Sequence, residues 1–128
     1  MFPELAKMKN NKFKLVYLAH PFISAPQKNF RKINAIARKI IKIQLNYRKR
    51  IKYVPFVPHN ILSVFTEQEN PALRPITENL SCRLVSFCDE LWICSPIISA
   101  GMQLEIKEAK QRKIKIVSYR KPDKFLIK

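Results

Sequence analysis

Four short apolar runs rich in strand-forming residues are separated by stretches of helical periodicity. This alternation constrains the fold more than any other feature of the chain. The first run is FKLVYLA at 13–19, ended by His20-Pro21. An uninterrupted apolar run of this kind fits a strand covered on both faces. The second is KYVPFVP, whose two prolines point to an irregular or edge strand. DELWICSP supplies the third and KIKIVSY the fourth. Between them the spacing predicts helices over about 27–49, 74–87 and Ala100 to Arg112. In the first helix Phe30, Ile33, Asn34, Ala37, Ile41 and Leu45 share one face, with Arg31, Lys32, Arg38, Lys39 and Lys42 on the other side. HPFISAPQ, Pro58-His59-Asn60, the polar segment 62–72 and the turn Ile97 to Gly101 read as connections.

Strands that alternate with helices pair in parallel through right-handed crossovers. The expected class is α/β: a three-layer sandwich around a parallel sheet, flavodoxin- or Rossmann-like. The expected organisation is a basic arm over 1–12, one domain over 13–120 and a basic tail over 121–128. In such sheets ligands bind beyond the carboxyl ends of the strands. The segments to search are therefore His20 to Asn29, Pro58 to Phe65 and Ser95 to Glu105.

With 128 residues, 47% of them apolar, the chain can build a core. It has no apolar run near the roughly 18 residues that span a bilayer, and MFPELAKMKNNK lacks the apolar centre of a signal peptide. Cys82, Cys88 and Cys94 are odd in number, without a CxxC pair. They read as reduced thiols of a cytoplasmic protein. His20 and His59 lie far from them, so neither a metal site nor a cofactor is expected.

The formal charge is +16, but it is unevenly spread. Residues 53–106 hold two basic and six acidic side chains, a net −4, and the remainder holds 23 basic and three acidic, a net +20. A lysine-rich solvated surface accounts for this. It implies at most weak, salt-sensitive, sequence-independent binding to nucleic acid, and no recognised nucleic-acid-binding motif is present.

Three segments together carry a resemblance. They are VYLAHPF with Asn29 in the helix that follows, VPH at 57–59, and CDELWIC followed by ISAGMQLEI. Over about 13–119 the chain resembles the nucleoside 2-deoxyribosyltransferase-like superfamily, most of all its small uncharacterised bacterial and phage members. The resemblance implies a homo-oligomer of small α/β sandwiches. It implies cleavage or exchange of the N-glycosidic bond of 2-deoxynucleosides or their 5′-monophosphates. It also implies a glutamate nucleophile shortly after a Ser/Asp-x-Gly turn, a place matched by Glu105 after Ser99 and Gly101. Asn29 and His59 match positions typical of the uncharacterised group. The transferases usually carry an aspartate on the helix before the third strand; here ITENLSCRLVSFC offers Glu78, Asn79 and Ser81 instead.

The residues also speak for themselves. On a helical wheel Glu105 lies beside Met102 and Ala109, at the edge of the apolar face, where a merely solvating glutamate would not sit. An ionised carboxylate there would stabilise an oxocarbenium-like transition state and can form a covalent glycosyl-enzyme. The bland alternative is a first-turn glutamate favoured by the helix dipole. Ser99 suits an N-cap and, with the free amides behind it, could hold a hydroxyl or phosphate. Gly101 is the only glycine, kept for backbone freedom or for close approach. His20 and His59 are candidate proton donors to a leaving base, or structural. Phe22 and Met102 are candidate ligand contacts, and Asn29 is a helix cap or a ligand contact. Tyr17 and Trp92 read as core, and Asp89 and Glu90 as structural residues at the far end of the sheet. Two further readings stand beside the enzyme: a module that binds a nucleotide or ADP-ribose-like ligand without turnover, and a non-specific nucleic-acid binder. Leu62, Val64 and Phe65 are candidates for an interface or lid.

Overall fold

The computed structural model describes residues 13–22, 24–48, 50–62 and 71–118. The expected basic arm and tail, and Val64 and Phe65 of the expected lid, lie outside these residues. The elements run β1 (Lys14–Ala19), α1 (Pro26–Ile43), β2 (Tyr53–Phe56), a four-residue α2 (His59–Leu62), α3 (Arg74–Ser86), β3 (Glu90–Ile93), α4 (Ala100–Gln111) and β4 (Lys115–Val117). A π-helical turn, Gln44–Arg48, extends α1, and a 3₁₀ turn, Pro71–Leu73, leads into α3. Among the described residues no helix is long and apolar enough to cross a membrane.

The sheet is parallel throughout, in the order β2-β1-β3-β4. The register sets Val16 beside both Pro55 and Glu90. This is the α/β three-layer architecture expected from the alternation of elements. The proline-bearing strand β2 takes an edge, where a missing N–H costs no ladder bond on the open side.

The alternation of β1 sorts its side chains onto two cores. Val16 and Leu18 face Ile33, Ile40 and Ile43 of α1, together with Trp92 and Cys94. Tyr17 and Ala19 face Val85 of α3 and Met102 and Ala109 of α4. Each fully buried aliphatic side chain contributes about 1.5–3 kcal/mol. β1 is therefore the most heavily invested element, with Tyr17, Leu18 and Ala19 at 0% exposure.

The inner face of α1 differs from the expected one. Its buried residues are Asn29, Ile33, Ile40 and Ile43. Phe30, Asn34, Ala37 and Ile41 are only half-buried, and Leu45 is 52% exposed. The helix carries two apolar stripes, so periodicity alone does not choose between them; the sheet takes the one with the isoleucines. The basic residues Arg31, Lys32, Arg38, Lys39 and Lys42 point outward, as expected.

Gln44 anchors the end of α1 to β2. Its Oε1 accepts from the backbone N–H groups of Lys52 at 3.0 Å and Tyr53 at 2.8 Å, and its Nε2 donates to the Tyr53 carbonyl at 2.8 Å. The helical turn α2 replaces the loop expected at 58–60. Pro58 fixes the φ for a helix start, and its carbonyl accepts from Ile61 and Leu62, both at 2.9 Å. One turn is too short to leave a periodic signal.

Candidate functional site

The chain leaves β1 toward α1 and β2 on one side of the sheet, and leaves β3 toward α4 and β4 on the other. The two departing connections part between β1 and β3, which creates a crevice at the carboxyl ends. A cavity of about 160 Å³ occupies that place. His20, Pro21, Phe22 and Ser24 line it from the β1 loop, and Pro58, His59 and Leu62 from the end of β2. Ser99, Gly101, Met102 and Glu105 line it from α4. Seven of the eight predicted site residues thus meet at one cavity.

The eighth, Asn29, does not line it. It also does not cap α1: the N-cap is Ala25, with no side-chain cap bond, and Pro26 provides the helical start. Asn29 is buried in the first turns and turns back, its Nδ2 donating to the Phe22 carbonyl and to Ser24 Oγ, both at 3.3 Å. It fastens the loop that presents Phe22 to the cavity.

Ser99 is the N-cap of α4, with Oγ accepting from the Met102 N–H at 3.2 Å. Gly101 has no positive φ. A Cβ there would meet nothing closer than Ser99 Oγ at 4.0 Å. Backbone freedom is therefore not what the single glycine supplies; it leaves open space on the cavity wall.

Glu105 faces inward between Met102 and Ala109, 6% exposed. It is the sixth residue of α4, beyond the first turn, where the helix dipole has largely faded. The expectation that the dipole keeps it ionised gives way to burial, which raises its pKa to about 7. One group opposes the shift. The Tyr17 hydroxyl donates to Glu105 Oε2 and favours the charged form. Tyr17 is thus more than core. Its ring stacks on Phe56 while its phenol, held well above its ordinary pKa by burial and by Glu105, stays protonated as the donor.

His20 and His59 are joined through one acceptor. His20 Nδ1–H donates to the Pro21 carbonyl at 2.9 Å, and His59 Nε2–H donates to the same oxygen at 3.0 Å. Phe22 packs edge-on against His59, centroids 4.9 Å apart. Burial lowers the pKa of His20 and brings that of His59 down to about 4, the Pro21 bond opposing in each case. Both rings are neutral at neutral pH, each with its single N–H directed at Pro21. That arrangement holds the loop together and does not suit either ring as a proton donor to a leaving base.

Helix α3 supplies a wall that periodicity did not indicate. Thr77 and Ser81 are buried on the face that becomes apolar at Val85. Their hydroxyls donate to the carbonyls of Arg74 at 2.9 Å and Glu78 at 3.0 Å, which leaves acceptor lone pairs. Glu78 also lines the cavity, paired with Arg74 at 3.2 Å, and Asn79 is exposed and does not line it. At the opposite end of the sheet Asp89 accepts from the Leu15 N–H at 2.8 Å. Glu90 accepts from Trp92 Nε1 at 2.9 Å and faces Lys14 Nζ at 3.3 Å. Both hold the starts of strands, far from the cavity.

Comparison with protein families matches residues 14–119 to the family described as Domain of unknown function (DUF7768). The chain belongs to this family. The DUF7768 match spans β1 to the end of β4 and so includes every residue placed at the cavity. No curated protein and no solved structure matches the chain.

Proposed function

We propose that this DUF7768 protein cleaves or transfers the N-glycosidic bond of a nucleoside or nucleoside 5′-monophosphate, with Glu105 as nucleophile. The observation that carries the reading is a buried carboxylate at the wall of a strand-end cavity, held through Oε2 by Tyr17. With that oxygen held, Oε1 is left to attack. In the first step the ionised carboxylate bonds to the anomeric carbon while the bond to the base nitrogen breaks. The nitrogen keeps the electron pair and takes a proton from water. In the second step water, or another base, attacks the same carbon and releases Glu105. A cavity of about 160 Å³ is smaller than the roughly 300–1,000 Å³ that encloses a whole drug-sized ligand. It fits the sugar, with the base in the opening. The loop before Ser99 exposes Ile97 by 71%, surface that a second copy would cover in a homo-oligomer. Three free thiols agree with a cytoplasmic location.

The test is release of free base, followed by chromatography, from a panel of deoxynucleosides and their monophosphates. Glu105→Gln should reduce turnover by orders of magnitude with the fold intact. Unchanged release by that variant would remove Glu105 from the role. A second reading, a ligand-binding module without turnover, is favoured by the neutral, Pro21-bound histidines, neither of which is free to donate a proton to the base. Thermal stabilisation by the same panel with no base released would select it.

A further inference from the structure

A second apolar stripe of α1, which shares Ala37 with the sheet-side core and is otherwise half-buried to exposed, has its own surroundings. Ala37, Ile41 and Leu45 run along the C-terminal half of the helix and meet Pro55 of the edge strand β2 in an apolar groove of about 390 Å³. Arg38 and Lys42 flank it. Leu45 is 52% exposed and lies in the π-helical turn, a distortion found frequently at functional sites. From Pro26 to Arg48 there is no acidic residue, and Lys28, Arg31, Lys32, Arg38, Lys39 and Lys42 are all exposed.

We propose that this groove docks an acidic amphipathic helix of a partner protein. The apolar floor calls for aliphatic or aromatic anchors, and the flanking Arg38 and Lys42, with the neutral Asn46 beside them, call for carboxylates around those anchors. The shape and charge select this occupant over others. A second copy would bring the same cations against themselves. Among the described residues its acids are already engaged: Glu78 with Arg74, Glu108 with Arg112, Glu90 with Lys14, Asp89 with the Leu15 N–H and Glu105 with Tyr17. Nucleic acid would satisfy the cations but has no aliphatic side chain to fill the floor. Strand addition at β2 is discouraged by Pro55, which has no N–H to offer.

The test uses the full chain and a fluorescein-labelled synthetic helical peptide with leucines at i, i+3, i+4 and i+7 and glutamates elsewhere, followed by fluorescence anisotropy. Saturable binding is expected. Leu45→Asp, at an exposed position and with its fold checked by circular dichroism, should weaken it at least about tenfold. The pair Arg38→Glu with Lys42→Glu should weaken it similarly and flatten its salt dependence. The proposal fails if the peptide does not bind, if a scrambled peptide of the same composition binds equally, or if Leu45→Asp has no effect. It also fails if DNA or phosphatidylglycerol vesicles bind more tightly than the peptide and lose that binding in Leu45→Asp. Self-association in sedimentation that Leu45→Asp abolishes would assign the groove to a second copy instead.

Discussion

Replacing Glu105 by glutamine should make the protein more stable above neutral pH, although it removes the group to which the chemistry is assigned. Burial raises the carboxyl pKa from the ordinary 4.5 to about 7. The folded state therefore binds the proton more tightly than the unfolded chain. The associated stability is fully present below 4.5, falls as pH rises toward 7 and is gone above it. The shift corresponds to roughly 3 kcal/mol, lost at about 1.4 kcal/mol per pH unit across that window. Glutamine resembles the protonated acid, keeps an acceptor for the Tyr17 hydroxyl and does not titrate. The two proteins should then be nearly equal at about pH 5 and separate by roughly 3 kcal/mol, with the variant ahead, at about pH 8. Urea unfolding of both proteins across this range measures the gap, and equal m-values would show that the denatured states match. Other titrating groups are common to both proteins and cancel in the difference. A gap that does not change with pH, or a wild type that is the more stable at pH 8, would refute the placement of Glu105 in a desolvated wall.

Further outcomes follow from the same geometry. Tyr17→Phe removes a bond that holds the Glu105 pKa down, so the rising limb of the pH profile for the proposed base release, expected near 7 in the wild type, should move to higher pH. A carboxyl carbon NMR titration of Glu105 checks this without turnover. Gly101→Ala adds a methyl that meets only Ser99 Oγ, at 4.0 Å, and should gain about 0.5–1 kcal/mol of helix stability. It should raise the thermal midpoint while weakening binding of a nucleoside monophosphate; unchanged binding would mean that the open wall is not used. Gln44→Leu strips partners from the Lys52 and Tyr53 amides and the Tyr53 carbonyl. It should cost about 2–4 kcal/mol, read from the urea midpoint.

The sequence by itself determined the architecture. The uninterrupted apolar run before His20, the helical stretches between strand runs and the prolines of β2 are local signals, and each expresses the burial that its element must find. They also placed seven candidate site residues at one crevice, because the strand-end rule depends only on connectivity. Tertiary structure decided what periodicity leaves degenerate. Helix α1 has two apolar stripes, and only docking on β1 and β2 shows that Ile40 and Ile43 join Ile33 in the core and that Leu45 does not. Tyr17 reads as one more core residue of an apolar strand. Its role depends on Glu105, 88 residues away, lying on the same face of the sheet. A buried phenol and a buried carboxylate each require a partner, a hint that the sequence contains but cannot resolve without knowing which face each occupies. The charge states of Glu105, His20 and His59 are likewise set by desolvation, a property of the assembled layers and of no single segment.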